Sequence, residues 1–153
     1  MLTHLRRANV VALAAAFALG ALLQSFLTLA RASDAGVKPS IININELLNR
    51  EKLAFQSPGG WVQPLTSSGS ASIAFIKQIT VAAHSHSGSD EFVYVLRGSG
   101  IATIANQSQQ VRDGDLLVIP RGVIHSFKVS KGTVDLLAFF SPPKDYADVQ
   151  WAK

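Results

Sequence analysis

The chain has no cysteine, which excludes disulfides, thiol nucleophiles and cysteine-ligated metals and leaves the hydrophobic core to hold the fold. Charge is sparse as well. Asp, Glu, Lys and Arg make up 16% of the 153 residues against 48% hydrophobic ones, a composition that suits one compact domain plus a hydrophobic segment rather than a disordered chain. The net charge of +4 belongs mostly to the first 32 residues, because Arg6, Arg7 and Arg31 account for three of the 14 basic residues and leave 11 against 10 acids. Without a basic stripe, nucleic acid is not an expected partner. Histidine is scarce too. Beyond His4, the chain holds only His84, His86 and His125.

The hydrophobic segment comes first. Arg6 and Arg7 precede the almost wholly apolar stretch Val10 to Ala30, and Ala30-Arg31-Ala32 fits a small-x-small cleavage site. Residues 1–32 are therefore expected to be a signal peptide, removed to give an exported, periplasmic or secreted protein with no membrane contact. The alternative is a membrane anchor formed by residues 10–30, since about 20 apolar residues span a bilayer. The Arg pair also raises the twin-arginine export route, but Ala8-Asn9-Val10 matches that signal poorly and an ordinary positive leader is expected.

All three remaining histidines fall in two short segments, His84 to Gly98 and Gly114 to His125. Side chains two apart on a strand point the same way, so His84 and His86 project together. Ser87 to Asp90 is a turn, after which Glu91, Val93 and Val95 share one face of an apolar strand. Downstream, Leu116 to Ile119 reads as a strand, Pro120-Arg121-Gly122 as a turn, and Val123, His125, Phe127 and Val129 as one strand face. With both faces turned inward, three imidazoles and one carboxylate meet in an apolar interior, a nitrogen and oxygen donor set that suits one divalent Fe, Mn, Cu, Ni or Zn ion.

These residues carry a resemblance to the cupin superfamily, in particular to small, single-domain, quercetin dioxygenase-like members. His84, His86, Glu91 and Gly98 match its first motif, and Gly114, Pro120, Gly122 and His125 match its second. Gln78 stands where the first motif often begins with Gly, and Val129 where the second often ends in Asn; neither is a ligand position. The resemblance implies that His84, His86, Glu91 and His125 bind the metal. It also implies an all-β, double-stranded β-helix (jelly-roll) barrel and pairing into a homodimer.

The chain divides accordingly. Residues 33–70 form a lead with a short helix capped by Asn43 or Asn45, followed by a strand, expected at the sheet edge, in which Pro64 signals an edge or a bulge. Residues 71–141 form the barrel core, opening with one long strand from Ala71 to Val81 that runs straight into the histidine pair. Residues 142–153 form a tail whose Tyr146 and Trp151 suggest packing across the barrel or a subunit contact. Gln78, Trp61, Arg97 and Arg121 are read as ordinary packing or solvated residues.

The expected activity is that of a metal-dependent dioxygenase acting on a small enolic or phenolic substrate, with Glu91 as ligand and general base. The alternatives are a non-redox lyase, isomerase or decarboxylase, a non-catalytic exported protein that binds a small ligand or metal, and a metal that merely ties the barrel together. The apolar inward positions argue against a phosphosugar, which needs several inward cations.

Overall fold

Turn-forming residues cut the chain into short strands whose alternation between buried and exposed positions settles which side faces inward. The computed structural model of the protein describes residues 37–152; the expected signal peptide or anchor lies outside those residues. A five-residue helix, α1 (Ile44–Leu48), starts at Asn43, whose side-chain oxygen accepts a hydrogen bond from the Asn45 amide. Eleven strands follow: β1 (Phe55–Ser57), β2 (Gly60–Ser67), β3 (Ser72–Gln78), β4 (Val81–Ser85), β5 (Asp90–Arg97), β6 (Ser99–Ile104), β7 (Gln107–Arg112), β8 (Leu116–Ile119), β9 (His125–Val129), β10 (Val134–Ser141) and β11 (Gln150–Trp151).

They form two antiparallel sheets, β1-β2-β3-β10-β5-β8 and β11-β4-β9-β6-β7, in which sequence neighbours are often not spatial neighbours. This is the double-stranded β-helix expected from the motifs. In β5 the inward set is Glu91, Val93 and Val95, while Phe92 and Tyr94 face outward. Val93, Val95, Leu117, Ile119, Phe127, Leu136, Ala138 and Phe140 belong to one continuous core between the sheets. Gly100 is required where β6 pairs with β9, because a Cβ there would run into the Phe127 ring and the Lys128 carbonyl.

Three details differ from the expectation. The strand expected from Ala71 to Val81 is two strands, since the chain leaves one sheet at Gln78 and enters the other at Val81. At that crossing the Ile79 amide donates to the Gly59 carbonyl, and Thr80 Oγ1 accepts from the Val129 amide. A bulge between Val81 and His84 then interrupts the two-residue alternation on the way into the histidine pair. Of the two readings of Pro64 the bulge holds, since the β2–β3 register shifts between Pro64 and Thr66, whereas the edge does not: β2 lies between β1 and β3.

A buried charge cluster ties the helix to the barrel. Register places Asp135 of β10 between Lys77 of β3 and Arg97 of β5. Asp135 is 2% exposed and accepts hydrogen bonds from Lys77 Nζ at 3.1 Å and Arg97 Nε at 2.8 Å. The same two cations donate to the carbonyl of Leu48, one of the helix C-terminal groups without an intrahelical partner. Removing the carboxylate strands one buried cation and a half-held helix end. D135A is therefore expected to lower stability by about 3 kcal/mol, measured by urea unfolding; a loss of a few tenths would show the cluster to be dispensable.

Candidate metal centre

The β4–β9 pairing sets His84 directly across from His125, and His86 follows one residue past the end of β4. The three rings are buried, with centroids 4.3 Å apart for His84 and His125, 5.0 Å for His84 and His86, and 5.4 Å for His86 and His125. One ligand atom from each lies within 4.8 Å of the others.

Backbone carbonyls orient every ring. His84 Nδ1 lies 2.9 Å from the Ala82 carbonyl oxygen, His86 Nδ1 lies 2.7 Å from that of Asp148, and His125 Nδ1 lies 3.0 Å from that of Val123. A carbonyl oxygen only accepts, so each Nδ1 carries the hydrogen and donates it. The Nε2 lone pairs are thereby left for a metal, with ring orientation set from behind.

Glu91 enters from the facing strand. Its Oε2 is 3.3 Å from His125 Nε2 and 3.6 Å from His86 Nε2, is buried, and has no hydrogen-bond partner. Lone pairs therefore face one another across a buried gap, an arrangement that a proton or a metal cation relieves. The residues fit a divalent ion on this ground.

The electrostatics favour neutral rings at His84 and His86 and an ionised carboxylate at Glu91. Burial, reinforced by the other two imidazoles, lowers His84 to about 4. Burial and then the Lys144 charge lower His86. Burial pushes the Glu91 carboxyl up, but positive charge beside it, on the His125 ring when Nε2 carries a proton and on Lys144, outweighs this and holds Glu91 below its usual range.

The turn between the ligands is stitched to its surroundings. The Gly122 amide donates to the His86 carbonyl at 2.6 Å, with Gly122 at a positive φ of 77° that favours glycine. Arg121 donates to Asp90 from its amide, Nε and Nη2. Arg97 is engaged by Asp135. Neither arginine lines the cavity above the histidines, and neither does Trp61. Gln78 does line it; it is buried, with its Nε2 donating to the Ile79 carbonyl.

The tail contributes more to the site than its composition suggests. Residues 142–152 fold back over the histidines as a strap, and β11 adds to the edge of β4 with Trp151 opposite His84, their ring centroids 5.2 Å apart. The Asp148 carboxylate accepts from Ser87 Oγ at 2.8 Å and from the Gly88 amide at 2.6 Å, while its carbonyl holds His86. Lys144 Nζ reaches to 3.2 Å from His86 Nε2. Sequence reasoning found Trp151 and Tyr146 only as packing residues and missed Lys144 and Asp148. Two aromatics in a short tail after Pro142-Pro143 were the available signal that this segment is covered. The resulting cavity, about 200 Å³, has mostly apolar walls, including Val93, Phe127, Leu136 and Phe140.

The lowered histidines give acid sensitivity a sign. In the unfolded chain histidine titrates near 6.5, whereas folded His84 resists protonation down to about 4. As pH falls through that window the unfolded state takes up protons that the folded state refuses, so stability falls; His86 acts in the same direction. The chelator-treated protein is expected to show a falling thermal midpoint between about pH 6.5 and about pH 4, more steeply than an H84N/H86N variant. Parallel profiles for the two proteins would contradict neutral buried imidazoles.

Residues 76–140 match the cupin domain family. An uncharacterized protein of Aquifex aeolicus strain VF5 is 33% identical over 76 residues, a match covering 50% of this chain and 62% of that relative's length. Among solved structures, a protein from Planctomyces limnophilus has a TM-score of 0.62 at 24% identity, covering 74% of this chain and 96% of that one. KdgF from Halomonas sp. has a TM-score of 0.61 at 18% identity, covering 71% and 97%. The matched residues hold both histidine segments and, in whole or part, the eight strands β3 to β10, so motif, topology and site agree: this chain carries a domain of the cupin family.

Proposed function

We propose that this protein is an exported metal-dependent enzyme of dioxygenase type, acting on a small enolic or phenolic substrate, with one divalent transition metal held by His84, His86, Glu91 and His125. The observation that carries this reading is the buried, unpartnered Oε2 of Glu91 aimed at the imidazole nitrogens beneath an apolar cavity. A bound redox-active ion supplies Lewis acidity and a route for electrons to dioxygen. The chain's own residues do the rest. The three histidines keep their Nε2 lone pairs inward, the apolar walls exclude water, and Glu91 accepts the substrate hydroxyl proton at Oε2.

A non-redox lyase, isomerase or decarboxylase is the second reading. It is favoured by the ammonium of Lys144, whose Nζ lies 3.2 Å from the same His86 Nε2 that Glu91 Oε2 approaches to 3.6 Å, so that a proton donor stands near a proton acceptor. A protein that binds a small ligand without turnover is the remaining alternative, and product analysis separates it from both.

The outer face supports a homodimer. Phe92 pairs with Val118 and Tyr94 with Leu116, and all four side chains are exposed on β5 and the edge strand β8. A second copy is the proposed cover. L116K/V118K is expected to sediment as a monomer where the unsubstituted protein sediments as a dimer; equal sedimentation removes this face as the interface.

The functional test combines elemental analysis with oxygen uptake. The protein recovered from its exported compartment is expected to hold about one iron, manganese, copper or nickel per chain and to consume oxygen with an enediol or phenol. H125A should lose more than about nine-tenths of the metal and the uptake while its circular dichroism is unchanged. Zinc alone, with turnover in the absence of oxygen, would move the assignment to the second reading.

A further inference from the structure

The cations near the site are not equivalent. Lys77 and Arg97 are committed to Asp135, and Arg121 to Asp90. Lys144 is different. Among the described residues it forms no salt bridge, although it is half-buried and its ammonium lies inside the cavity. The side chain is held in place, with Nζ 4.7 Å from the centre of the Phe140 ring and 5.8 Å from that of Tyr146. Its backbone is anchored as well, the Lys144 amide donating to Ser72 Oγ at 3.0 Å.

The hydrogen-bond acceptor in reach of this ammonium is His86 Nε2, at 3.2 Å. That lone pair is the one a metal takes. With an ion in place the ammonium loses its acceptor and is repelled by the like charge, while Glu91 is drawn to the ion. Asp148 offers no replacement, since its two carboxylate oxygens already accept from Ser87 and Gly88. A half-buried ammonium without an acceptor is costly, and an anionic oxygen on a ligand relieves that cost.

We propose that Lys144 forms an anion subsite beside the metal centre, binding the ionised oxygen of a small organic acid, enol or phenol whose apolar body fills the barrel cavity. This rests on the metal reading above and narrows its substrate class. A lone lysine matches one ionised oxygen rather than a phosphate, which calls for several donors. The cavity of about 200 Å³ with apolar walls matches a body the size of one ring with a short side chain.

The test is calorimetric binding to the Co(II)-loaded protein, with no turnover required. The probes are phenylacetate, its neutral counterpart phenylacetamide, and 4-nitrophenol titrated as its phenolate. Replacing Lys144 by Met is expected to weaken phenylacetate, 4-nitrophenolate or both by about tenfold and to leave phenylacetamide unchanged. K144R, which keeps the charge, should recover most of the loss. Loss confined to phenylacetate identifies a carboxylate site, and loss confined to 4-nitrophenolate an enolate or phenolate site. Equal affinities in wild type and K144M for both anions, including the absence of anion binding by either protein, overturn the proposal. Bound cobalt and the thermal midpoint, measured on the same samples, are expected to match between the proteins. A wild-type chain that takes up no cobalt sinks the metal centre instead, and the same affinity comparison on that metal-free protein then decides the subsite.

Discussion

The cross-strand pairing of His84 with His125 constrains the centre of this barrel more than any other contact. It brings two imidazoles together on a sheet whose inner face is otherwise apolar, and the bulge ahead of His84 turns that residue inward. Once the pair is buried, the backbone carbonyls of Ala82, Val123 and Asp148 decide the tautomers. No ring can turn its Nδ1 inward without stranding a carbonyl and losing a hydrogen bond. The donor set is thus settled by main-chain groups that carry no specificity of their own, and Glu91 from the opposite sheet completes it with a buried charge.

Much of this was legible in the sequence because strand periodicity is local. Glu91, Val93 and Val95 alternate with exposed Phe92 and Tyr94 as a two-residue repeat requires, and the turn at Pro120-Arg121-Gly122 is written in its residue types. The three histidines were also identifiable, since they are the only ones beyond His4. What periodicity could not show is where parity breaks. The crossing at Ile79–Thr80 and the bulge after Val81 arise from long-range pairing, so a run of apolar residues reads through them as one strand.

The contribution of the tail was hidden for a different reason. Asp148 holds His86 through its carbonyl, a group every residue possesses, and so leaves no trace in residue identity. Lys144 looks like any surface lysine until the strap carries it over the cavity. Asp135 was obscured likewise: one acid in an apolar strand becomes a cluster only when the register sets Lys77 and Arg97 on either side. None of those three residues lines the cavity, so the charges that secure the helix are separate from those available to a ligand.

The strap has one more consequence. By pairing with His84 and Ser85, β11 covers main-chain amides and carbonyls that would otherwise form an open sheet edge. The segment that walls the cavity is therefore also a guard against strand-to-strand association between molecules. Deleting it to admit a larger ligand would uncover a sticky backbone in the same stroke. A lineage under pressure for a new substrate has an easier path through side-chain replacement along the strap than through shortening it.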